Sequence, residues 1–467
     1  MGAFASDLTR PTVRLGVTGL SRAGKTVFVT ALVHNLVASG KLPFFRAVAE
    51  GRVRRAWLEP QPDDTVPRFE IEQHLKALMS DPPTWPESTR RISQLRVTLD
   101  YEPDSAWRYV VGSRHLNIDI VDYPGEWLLD LSLLGKSYED WSREALALAG
   151  RPERTAFARD LLAYAGGLDP AAAEDEQVAL TGSRLFKAYL QATRKSGVIT
   201  GLTPGRFLMP GDLEGTPALT FLPLDSTPQA VARKGSLAAM MARRFEAYKA
   251  RVVLPFFRDY FSRLDRQIVL VDALGALDAG PAAIADLGTS LEAVLACFRA
   301  GANTLWSSLF ARRIDRILFA ATKADHLHHS SHDRLEAILG RLVNSAVSRA
   351  QFAGAKVRVM GLAAVRATRE AEMGEGAGRL PCIVGTPLAG EQVGGQLLDG
   401  RREVAVFPGD LPQSLEEAVA DAPGARLIRL PRFRPPLTVP TATDPSPPFP
   451  HIRLDRALDF LIGDRLT

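Results

Sequence analysis

Eight residues near the N-terminus constrain this chain more than any other stretch. Residues 19–26 read Gly-Leu-Ser-Arg-Ala-Gly-Lys-Thr and match the pattern G-x-x-x-x-G-K-[ST]. The β-branched segment at 12–18 predicts a strand before the motif, and residues 27–36 predict a helix after it, ending near Gly40. A strand, a glycine-containing loop and a helix in this order form the context in which the pattern binds nucleotide phosphates. The sequence therefore predicts an α/β fold that binds a nucleoside triphosphate.

The residue types in this loop each have a physical role. Glycines let the backbone curl so that successive N–H groups point at phosphate oxygens, and the helix N-terminus adds its positive end. We expect Lys25 to place a positive charge on the outer phosphates and the Thr26 hydroxyl to bind Mg²⁺. The predicted nucleotide contacts of this loop are Gly19, Leu20, Ser21, Arg22, Ala23, Gly24, Lys25, Thr26 and Val27.

A second motif follows a hydrophobic segment at 115–122. The segment ends in Asp122, and Gly125 follows after Tyr-Pro. In this arrangement the carboxylate orders the Mg²⁺ shell, while the glycine N–H reaches the γ-phosphate and releases it after hydrolysis. The apolar run at 267–272 also ends in an aspartate, Asp272, which is a rival for this role. We prefer Asp122 because it has the downstream glycine, whereas Asp272 could line the base or orient an inserted segment.

A threonine that completes the Mg²⁺ shell is expected ahead of the strand predicted at 92–101. Thr89 lies just before that strand, and Ser88 and Thr84 are its competitors. Mg²⁺ selects hard oxygen ligands such as carboxylates and hydroxyls. The predicted magnesium ligands are Thr26, Thr89 and Asp122.

The nucleotide base is predicted to be read by residues 322–325, Thr-Lys-Ala-Asp, at the end of a strand at 316–321. We expect the Asp325 carboxylate to accept hydrogen bonds from N1–H and the 2-amino group of guanine. Adenine lacks this pair of donors and would leave a buried carboxylate without partners. The Lys323 stem is expected to cover the base, and the Thr322 hydroxyl to return to the phosphate loop. Small residues in the next loop suit a backbone N–H contact to the guanine oxygen, and these are Ala363, Ala364 and Val365.

Length and composition narrow the remaining possibilities. A chain of 467 residues exceeds one ordinary core, so two or three structural units are expected. No apolar run approaches the length of a membrane span, and a net charge of +4 gives no clear nucleic-acid signature. The two distant cysteines, Cys297 and Cys382, predict a reducing cytoplasm and not a disulfide scaffold.

Sequence patterning also predicts how the chain divides. Residues 127–262 show helical periodicity and are too long for a loop, so they predict a helical subdomain. Alternating segments at 402–407 and 426–430 predict a small β-rich appendage, and a proline-rich stretch follows. The predicted parts are a nucleotide domain at 1–40, 84–126 and 263–370, a helical or loop segment at 41–83, the helical insertion at 127–262, the appendage with its proline-rich linker at 371–450, and a C-terminal helix at 451–467 that packs on the nucleotide domain.

These motifs together resemble the YcjX-like family of P-loop NTPases, a stress-associated bacterial group within the GTPase class. The likeness is carried by residues 19–28, 122–127, 322–325 and 363–368, and it spans the chain from its first strand to about residue 370. It implies a Ras-like nucleotide domain with a mostly parallel sheet, helices on both faces and a helical insertion. It also implies a cytosolic location and GTP or GDP in preference to ATP. Members of the family are often labelled ATPases, whereas the chemistry of Asp325 favours guanine.

Hydrolysis requires charge stabilisation at the transferred phosphate, and the usual sources are replaced in this sequence. Glu126 stands where small GTPases often place a glutamine, and its carboxylate would repel the γ-phosphate unless it is turned away. Pro86 stands where some GTPases with a helical insertion carry an arginine, three residues before the switch threonine. Arg22 stands where other GTPases carry a K⁺-recruiting asparagine, and its guanidinium could supply the charge. The alternative is that Arg22 points outward and pairs with an acid of the insertion.

Two classes of function remain open from the sequence. The first is a magnesium-dependent regulatory GTPase that hydrolyses slowly and engages an unknown protein partner through its switches or its helical insertion. The second is an ATP-hydrolysing, energy-coupling protein whose insertion handles a partner or substrate. A nucleotide-stabilised scaffold without turnover is a third reading. Asp325 favours the first class, because only a displaced Asp325 would admit adenine.

Four histidines follow the base motif closely in the sequence. They are His326, His328, His329 and His332. Their spacing could suit a metal ion, since imidazole is a common ligand of transition metals. Surface histidines at the entry to a helix are commoner, and this is the interpretation that the sequence favours.

Overall fold

The structure is a computed structural model of the whole chain, and it divides into two compact units. It describes residues 10–20, 22–38, 42–87, 91–104, 114–196, 202–208, 210, 213–296, 314–352, 354–374, 379–393, 395–415, 417, 428, 430–442 and 446–467. The first unit comprises Met1–Pro124, Arg263–Ile284 and Phe310–Thr467, and the second comprises Gly125–Ser262 and Ala285–Leu309. The helical insertion was predicted at 127–262; the second unit also takes in residues 285–309, which the sequence placed in the nucleotide domain.

A seven-stranded sheet forms the centre of the first unit, with strand order β2-β3-β4-β1-β5-β6-β7. Its strands are β1 (Thr12–Gly19), β2 (Val53–Glu59), β3 (Ser93–Tyr101), β4 (Arg114–Asp122), β5 (Arg266–Val271), β6 (Arg316–Ala321) and β7 (Lys356–Gly361). The five strands β4, β1, β5, β6 and β7 run parallel, whereas β2 and β3 are antiparallel to their neighbours. This sheet confirms the predicted α/β class with a mostly parallel sheet.

Strand β2 corrects the prediction that residues 41–83 contain only helices and loops. It pairs antiparallel with β3 and forms one end of the sheet order. Arg54 and Arg55 are both exposed, and of the seven residues only Ala56 is buried. An edge strand with so little buried surface lacks the regular alternation of apolar residues that marks a half-buried strand in a sequence.

The described residues also form a series of α-helices. They are α1 (Lys25–Val37), α2 (Arg46–Ala49), α3 (Ile71–Leu78), α4 (Gly125–Leu131), α5 (Tyr138–Ala149), α6 (Pro152–Gly166), α7 (Glu176–Ser196), α8 (Gly205–Leu208), α9 (Pro228–Ala232), α10 (Leu237–Tyr248), α11 (Leu254–Asp259), α12 (Ala273–Ala279), α13 (Pro281–Ala296), α14 (His332–Leu342), α15 (Asn344–Phe352) and α16 (Leu454–Ile462). A π-helical turn at Lys249–Val253 joins α10 to α11. Across the described residues, no helix combines the length and hydrophobicity that a membrane span requires.

The core of the first unit joins the sheet to α1 and α16. Strand β5 is buried at all six positions, as expected for a central strand of a parallel sheet that is covered on both faces. The C-terminal helix adds Leu454, Leu458 and Leu461 to the same buried cluster as the sheet. The guanidinium of Arg266 on β5 donates to the Leu461 carbonyl oxygen at 2.8 Å, which anchors the end of α16.

A smaller β structure follows the central sheet within the first unit. Strands β8 (Arg369–Met373), β9 (Leu380–Gly385) and β12 (Val404–Val406) form an antiparallel sheet in the order β12-β9-β8, and β10 (Gln392–Val393) pairs with β11 (Gln396–Leu397). Ile383, Val406 and Phe433 form its own small buried cluster. The strand predicted at 402–407 corresponds to β12, while most of the segment predicted at 426–430 lies outside the described residues.

The second unit is helical and is organised around aromatic side chains. Trp141 on α5 is 2% exposed. Its ring stacks on Phe245 at 5.0 Å between centroids and meets Phe186 and Phe221 edge-on at 5.9 and 5.2 Å. Aromatic pairs in these orientations stabilise a core beyond the area that they bury. The unit therefore has a core of its own.

Candidate nucleotide-binding site

The phosphate loop is shaped by contacts among its own residues. Strand β1 delivers Gly19, and α1 begins at Lys25, so the predicted strand and helix are confirmed with small changes in their bounds. Within the loop, the Ala23 N–H donates to the Leu20 carbonyl oxygen at 3.1 Å. The Lys25 ammonium donates to the Gly19 carbonyl oxygen at 3.2 Å and so lies over the loop.

Two loop glycines are required for different reasons. Gly24 caps α1 in the left-handed region, with a φ of 80°, and a Cβ there would meet nothing within 4 Å. Its requirement is conformational, since L side chains rarely adopt a positive φ. Gly19 is required by space, because a Cβ built on it would lie 2.7 Å from the Leu270 carbonyl oxygen on β5.

Arg22 adopts an unusual backbone conformation in the middle of this loop. Its φ is 68°, and it is one of few non-glycine residues in the described chain with a positive φ. Its side chain is exposed to solvent. The catalytic role of Arg22 stays a prediction, and so does the alternative pairing with an acid of the insertion. Ser21, the preceding loop residue, lies outside the described part of the chain.

Two of the three predicted magnesium ligands, Thr26 and Asp122, follow the ends of the neighbouring strands β1 and β4. The parallel register pairs Val17 with Asp122, which places the carboxylate beside the strand that enters the phosphate loop. Thr26 is 6% exposed and Asp122 is 1% exposed. A hydroxyl and a carboxylate oxygen are ligands that suit Mg²⁺, so the residues present fit this ion. The phenolic hydroxyl of Tyr123 donates to Gln267 on β5 at 2.8 Å and fixes the chain just after Asp122.

The residues predicted for the first switch are only partly described. Thr89, the preferred magnesium ligand, and its competitor Ser88 lie outside the described residues. Thr84, the third candidate, donates from its backbone N–H and its hydroxyl to the Ala77 carbonyl oxygen, at 3.0 and 3.3 Å. Thr84 therefore closes the turn after α3, and Thr89 stays the preferred candidate.

The segment predicted to form the second switch continues into a buried helix of the second unit. Gly125 begins α4, and all seven residues of this helix are buried. Glu126, which follows the switch glycine, is 3% exposed, and its carboxylate lies 3.4 Å from the Arg194 guanidinium. Asp130 accepts from the Gly205 N–H at 2.7 Å and from the Tyr248 hydroxyl at 2.6 Å. Burial raises the pKa of Asp130 to about 7, although these hydrogen bonds act in the opposite direction.

The base motif follows β6, and its first two residues contact β5 and the turn after it. The Thr322 N–H and hydroxyl both donate to the Val271 carbonyl oxygen, at 2.9 and 3.3 Å. Thr322 therefore joins neighbouring strand ends, and the expected bond back to the phosphate loop is replaced by this contact. Lys323 has a φ of 62° and pairs with the carboxylate of Asp272, which also caps α12 by accepting from the Gly275 N–H. Asp272 thus orients the predicted base-covering lysine.

Asp325, the predicted guanine reader, is held from a distant part of the sequence. It is 4% exposed. Its Oδ2 accepts from the Ala367 N–H at 2.8 Å, and its carbonyl oxygen accepts from the Thr368 hydroxyl. Each carboxylate oxygen can accept more than one hydrogen bond, so this contact leaves acceptor capacity for a base. The segment at 366–368 thereby sets the orientation of the carboxylate.

In the loop predicted to contact the guanine oxygen, one backbone N–H already donates to another segment of the chain. The Ala363 N–H donates to the Ile452 carbonyl oxygen at 3.1 Å, and the reciprocal bond measures 2.8 Å. Ala363 is therefore a poor donor for a ligand, and the assignment stays a prediction for Ala364 and Val365. The sequence analysis included Thr368 in the segment that carries the family likeness but did not predict its contact with Asp325, although hydroxyl side chains in loops often bond backbone groups.

The histidines after the base motif occupy different environments. The His332 imidazole hydrogen-bonds the Ala324 carbonyl oxygen at 2.9 Å, beneath the motif. His326 meets the Phe433 ring edge-on at 5.4 Å. Burial lowers the pKa of His326 and that of His332, because desolvation disfavours the charged imidazole. His328 and His329 instead lie beside Glu370.

Comparison with known proteins agrees with this arrangement. The model of the YcjX-like family, DUF463, matches residues 13–466. A protein of Escherichia coli strain K12 named Ras-like GTPase YcjX is 38% identical over 465 residues, covering 97% of this chain and 96% of that protein. A protein of the same name from Shewanella oneidensis is 36% identical over 482 residues, covering 97% and 94% respectively. The predicted Ras-like P-loop fold and the predicted family are both confirmed: the chain belongs to the YcjX-like family.

Proposed function

We propose that this chain binds GTP and GDP together with Mg²⁺ and hydrolyses GTP slowly as a regulatory protein. The observation that carries the proposal is the buried Asp325 carboxylate, which follows β6 and is oriented by the Ala367 N–H at 2.8 Å. The phosphate loop follows β1 in the same parallel sheet. A carboxylate held in this way pairs with N1–H and the 2-amino group of guanine and disfavours adenine. The name Ras-like GTPase, borne by two relatives, supports the same choice of base.

The phosphate side of the proposed site uses backbone and oxygen donors of the chain. The loop N–H groups and the Lys25 ammonium bind the phosphate oxygens. Thr26 and Asp122 would hold Mg²⁺, with Thr89 as the proposed third ligand, and the bound ion supplies charge that offsets the phosphate oxygens. Gly125 donates its N–H to the γ-phosphate only while that group is present.

We further propose that the second unit carries the output of the switch to a protein partner. Helix α4 starts at Gly125 and all seven of its residues are buried, so a shift of its first residue must change the surrounding contacts. Trp127 lies under the Arg206 guanidinium at 3.4 Å, and a Cβ on Gly205 would lie 2.6 Å from the Glu126 carbonyl oxygen. Such close packing has little freedom to absorb a shift. The family likeness adds a stress-associated setting in the bacterial cytoplasm.

Base preference provides the direct test. Fluorescent GDP and fluorescent ADP are titrated side by side into the wild-type chain, with Mg²⁺ present. We expect GDP to bind at least about 100-fold more tightly, the scale set by leaving a buried polar partner unsatisfied. For a substitution of Asp325, the matched control is Asp333→Asn, because the Asp333 side chain is 97% exposed on α14. This control should bind GDP as the wild type does.

Two results would overturn the proposal. Equal affinities for GDP and ADP would show that Asp325 does not read the base, and the ATP-hydrolysing alternative would then hold. GTP binding without release of phosphate over many hours would point to a nucleotide-stabilised scaffold. Both assays use the full chain. Circular dichroism is measured first, so that a failure to fold is detected before either result is interpreted.

A further inference from the structure

Three side chains beside the base motif converge on one point without belonging to the proposed nucleotide contacts. They are His328, His329 and Glu370, and their ligand atoms all lie within 4.8 Å of one another. His329 Nδ1 lies 2.5 Å from Glu370 Oε2, and His328 Nε2 lies 3.8 Å from the same oxygen. The two imidazole rings are adjacent, with centroids 4.2 Å apart.

We propose that these three residues bind a divalent transition-metal ion of the zinc class. Two imidazole nitrogens and one carboxylate oxygen form a set that zinc accepts, with a fourth position left for water. In a tetrahedral site with bonds of 2.0–2.1 Å, neighbouring ligand atoms lie about 3.3 Å apart. The ligand atoms lie within 4.8 Å of one another, so the widest separation must shrink by about 1.5 Å for the site to close on an ion. Mg²⁺ does not suit the set, because it prefers six oxygen ligands.

Neighbouring groups orient the two ligands that are least exposed. His328 Nδ1 lies 2.9 Å from the Ser330 hydroxyl and accepts a long hydrogen bond of 3.4 Å from the Ser330 backbone N–H. Metal binding at Nε2 requires the other tautomer, in which Nδ1–H donates to the Ser330 hydroxyl. A ligating histidine usually donates its other ring N–H to an oxygen in this way. Glu370 Oε1 lies 3.4 Å from the Arg366 guanidinium, so that Oε2 is the oxygen that faces the histidines. His329 is exposed, which gives the ion a path from solvent.

The position of this cluster gives the ion a consequence for the base loop. His328 follows Asp325 by three residues, and Glu370 follows Thr368 by two. A metal ion bound by His328 and Glu370 would tie the segment after Asp325 to the segment after Thr368. This tie would add to the hydrogen bonds that Asp325 accepts from Ala367 and Thr368. We expect the bound ion to slow the exchange of nucleotide. This consequence rests on the proposed function, whereas metal binding itself does not.

The binding test uses Co²⁺ as a visible probe of zinc-type sites. Co²⁺ is titrated into the untagged, nucleotide-free full chain with excess Mg²⁺ to saturate oxygen-only sites, and Zn²⁺ is then added as a competitor. We expect one equivalent of Co²⁺ with the strong visible absorption of a four-coordinate ion, displaced by one equivalent of Zn²⁺. His328→Ala, His329→Ala and Glu370→Gln should each weaken Co²⁺ binding by about ten-fold or more.

The matched control is His115→Ala, which removes a half-buried histidine of β4 in the same unit. It should leave Co²⁺ binding unchanged. Thermal unfolding of every variant is measured in the presence of a chelator, so that a folding defect is separated from loss of a ligand. Co²⁺ binding that survives in all three ligand variants, or only weak octahedral absorption in the wild type, would overturn the site.

The consequence has its own readout. The dissociation of fluorescent GDP is followed with Zn²⁺ or with a chelator, in the wild type and in Glu370→Gln. We expect Zn²⁺ to slow release several-fold in the wild type alone. An equal rate with and without Zn²⁺ would overturn the coupling to the base loop. A chain that binds Co²⁺ as expected but no guanine nucleotide would refute the proposed function and leave the metal site standing.

Discussion

The two ends of the proposed nucleotide site are built in different ways. At the phosphate end, the ammonium of Lys25 reaches the carbonyl oxygen of Gly19, six residues away, and α1 follows at once. At the base end, Asp325 is held by Ala367 and Thr368, which follow it by 42 and 43 residues. Lys323 pairs with Asp272, which lies 51 residues away in the sequence.

This difference indicates which part of the chain determines phosphate binding and which part determines base preference. The phosphate loop depends on a left-handed glycine at position 24 and on a helix N-terminus, both of which the local sequence supplies, and only the requirement for Gly19 comes from a distant residue, Leu270 of β5. The base loop depends on the packing of β5, β6 and the segment at 366–368, so its geometry belongs to the folded unit. Substitutions at the phosphate end should affect all nucleotides alike, whereas those at the base end should distinguish guanine from other bases.

The largest effect is expected at the phosphate end. Lys25→Ala removes the charge that neutralises the outer phosphates, and we expect GTP turnover to fall by about 1,000-fold or more. The loss of triphosphate binding should be equal for GTP and ITP, because the lysine does not contact the base. Steady-state phosphate release and equilibrium binding measure the two effects. Retained turnover would mean that the phosphate-loop assignment is wrong.

The next largest effect is expected at the base end. In Asp325→Asn, an amide replaces the carboxylate that accepts from guanine, and we expect guanine affinity to fall by about 2 kcal/mol, or roughly 30-fold. Xanthine should be gained, because the amide donates to its 2-oxo group. Competition of GDP and XDP against a fluorescent nucleotide measures both changes. If the variant bound GDP and XDP equally weakly, Asp325 would not read the base, and the base end would not differ from the phosphate end.

Much of the phosphate end could be predicted from the sequence because each of its motifs is a short, continuous stretch of residues. The strand, loop and helix around Gly19 and Lys25 follow from local pattern, and Asp122 follows from an apolar strand with a downstream glycine. At the base end the sequence predicted the residues that face the base, such as Asp325 and Lys323, but not the contacts that hold Asp325 in place. Its partner Thr368 lies in another segment, and nothing in the spacing of the two residues reveals that they meet.

Other differences between prediction and structure have the same physical origin. Strand β2 was not predicted because six of its seven residues are half-buried or exposed. Its sequence therefore lacks the alternation of apolar residues that indicates a strand. The division near residue 285 falls inside helix α13, where the sequence shows no break in the helical pattern. Thr322 was expected to reach the phosphate loop, but the hydrogen bond goes to Val271, which the parallel register places beside β6.

A smaller effect is expected when a remote contact of the base loop is removed. Thr368→Val keeps the shape of the side chain but deletes the hydroxyl that donates to the Asp325 carbonyl oxygen. We expect GDP affinity to fall by about 1 kcal/mol, or roughly five-fold, with phosphate release at saturating GTP unchanged. Thr12→Val, which alters an exposed threonine on β1, is the control. Unchanged GDP affinity in Thr368→Val would mean that the base end is as local as the phosphate end.

The smallest effect is expected at Arg22, the residue of the phosphate end whose role the motif does not define. Its φ is 68° and its side chain is exposed. If the guanidinium stabilises charge on the transferred phosphate, Arg22→Ala should lower kcat about three- to five-fold, the range for a charge that remains largely solvated. GDP affinity should change less, because the transferred group is absent from GDP.

Potassium separates this role of Arg22 from its alternatives. A loop that carries its own guanidinium needs no recruited cation, so wild-type turnover should be the same in K⁺ and Na⁺. The control is Arg22→Lys, which keeps the charge but loses the planar fork, and it should recover part of kcat. If K⁺ accelerates the wild type, or if Arg22→Ala turns over normally, the guanidinium is an outward, solvated group. The charge that stabilises the phosphates would then come from the loop N–H groups, from Lys25 and from the Mg²⁺ that Thr26 and Asp122 would hold, and the phosphate end would still read no part of the base.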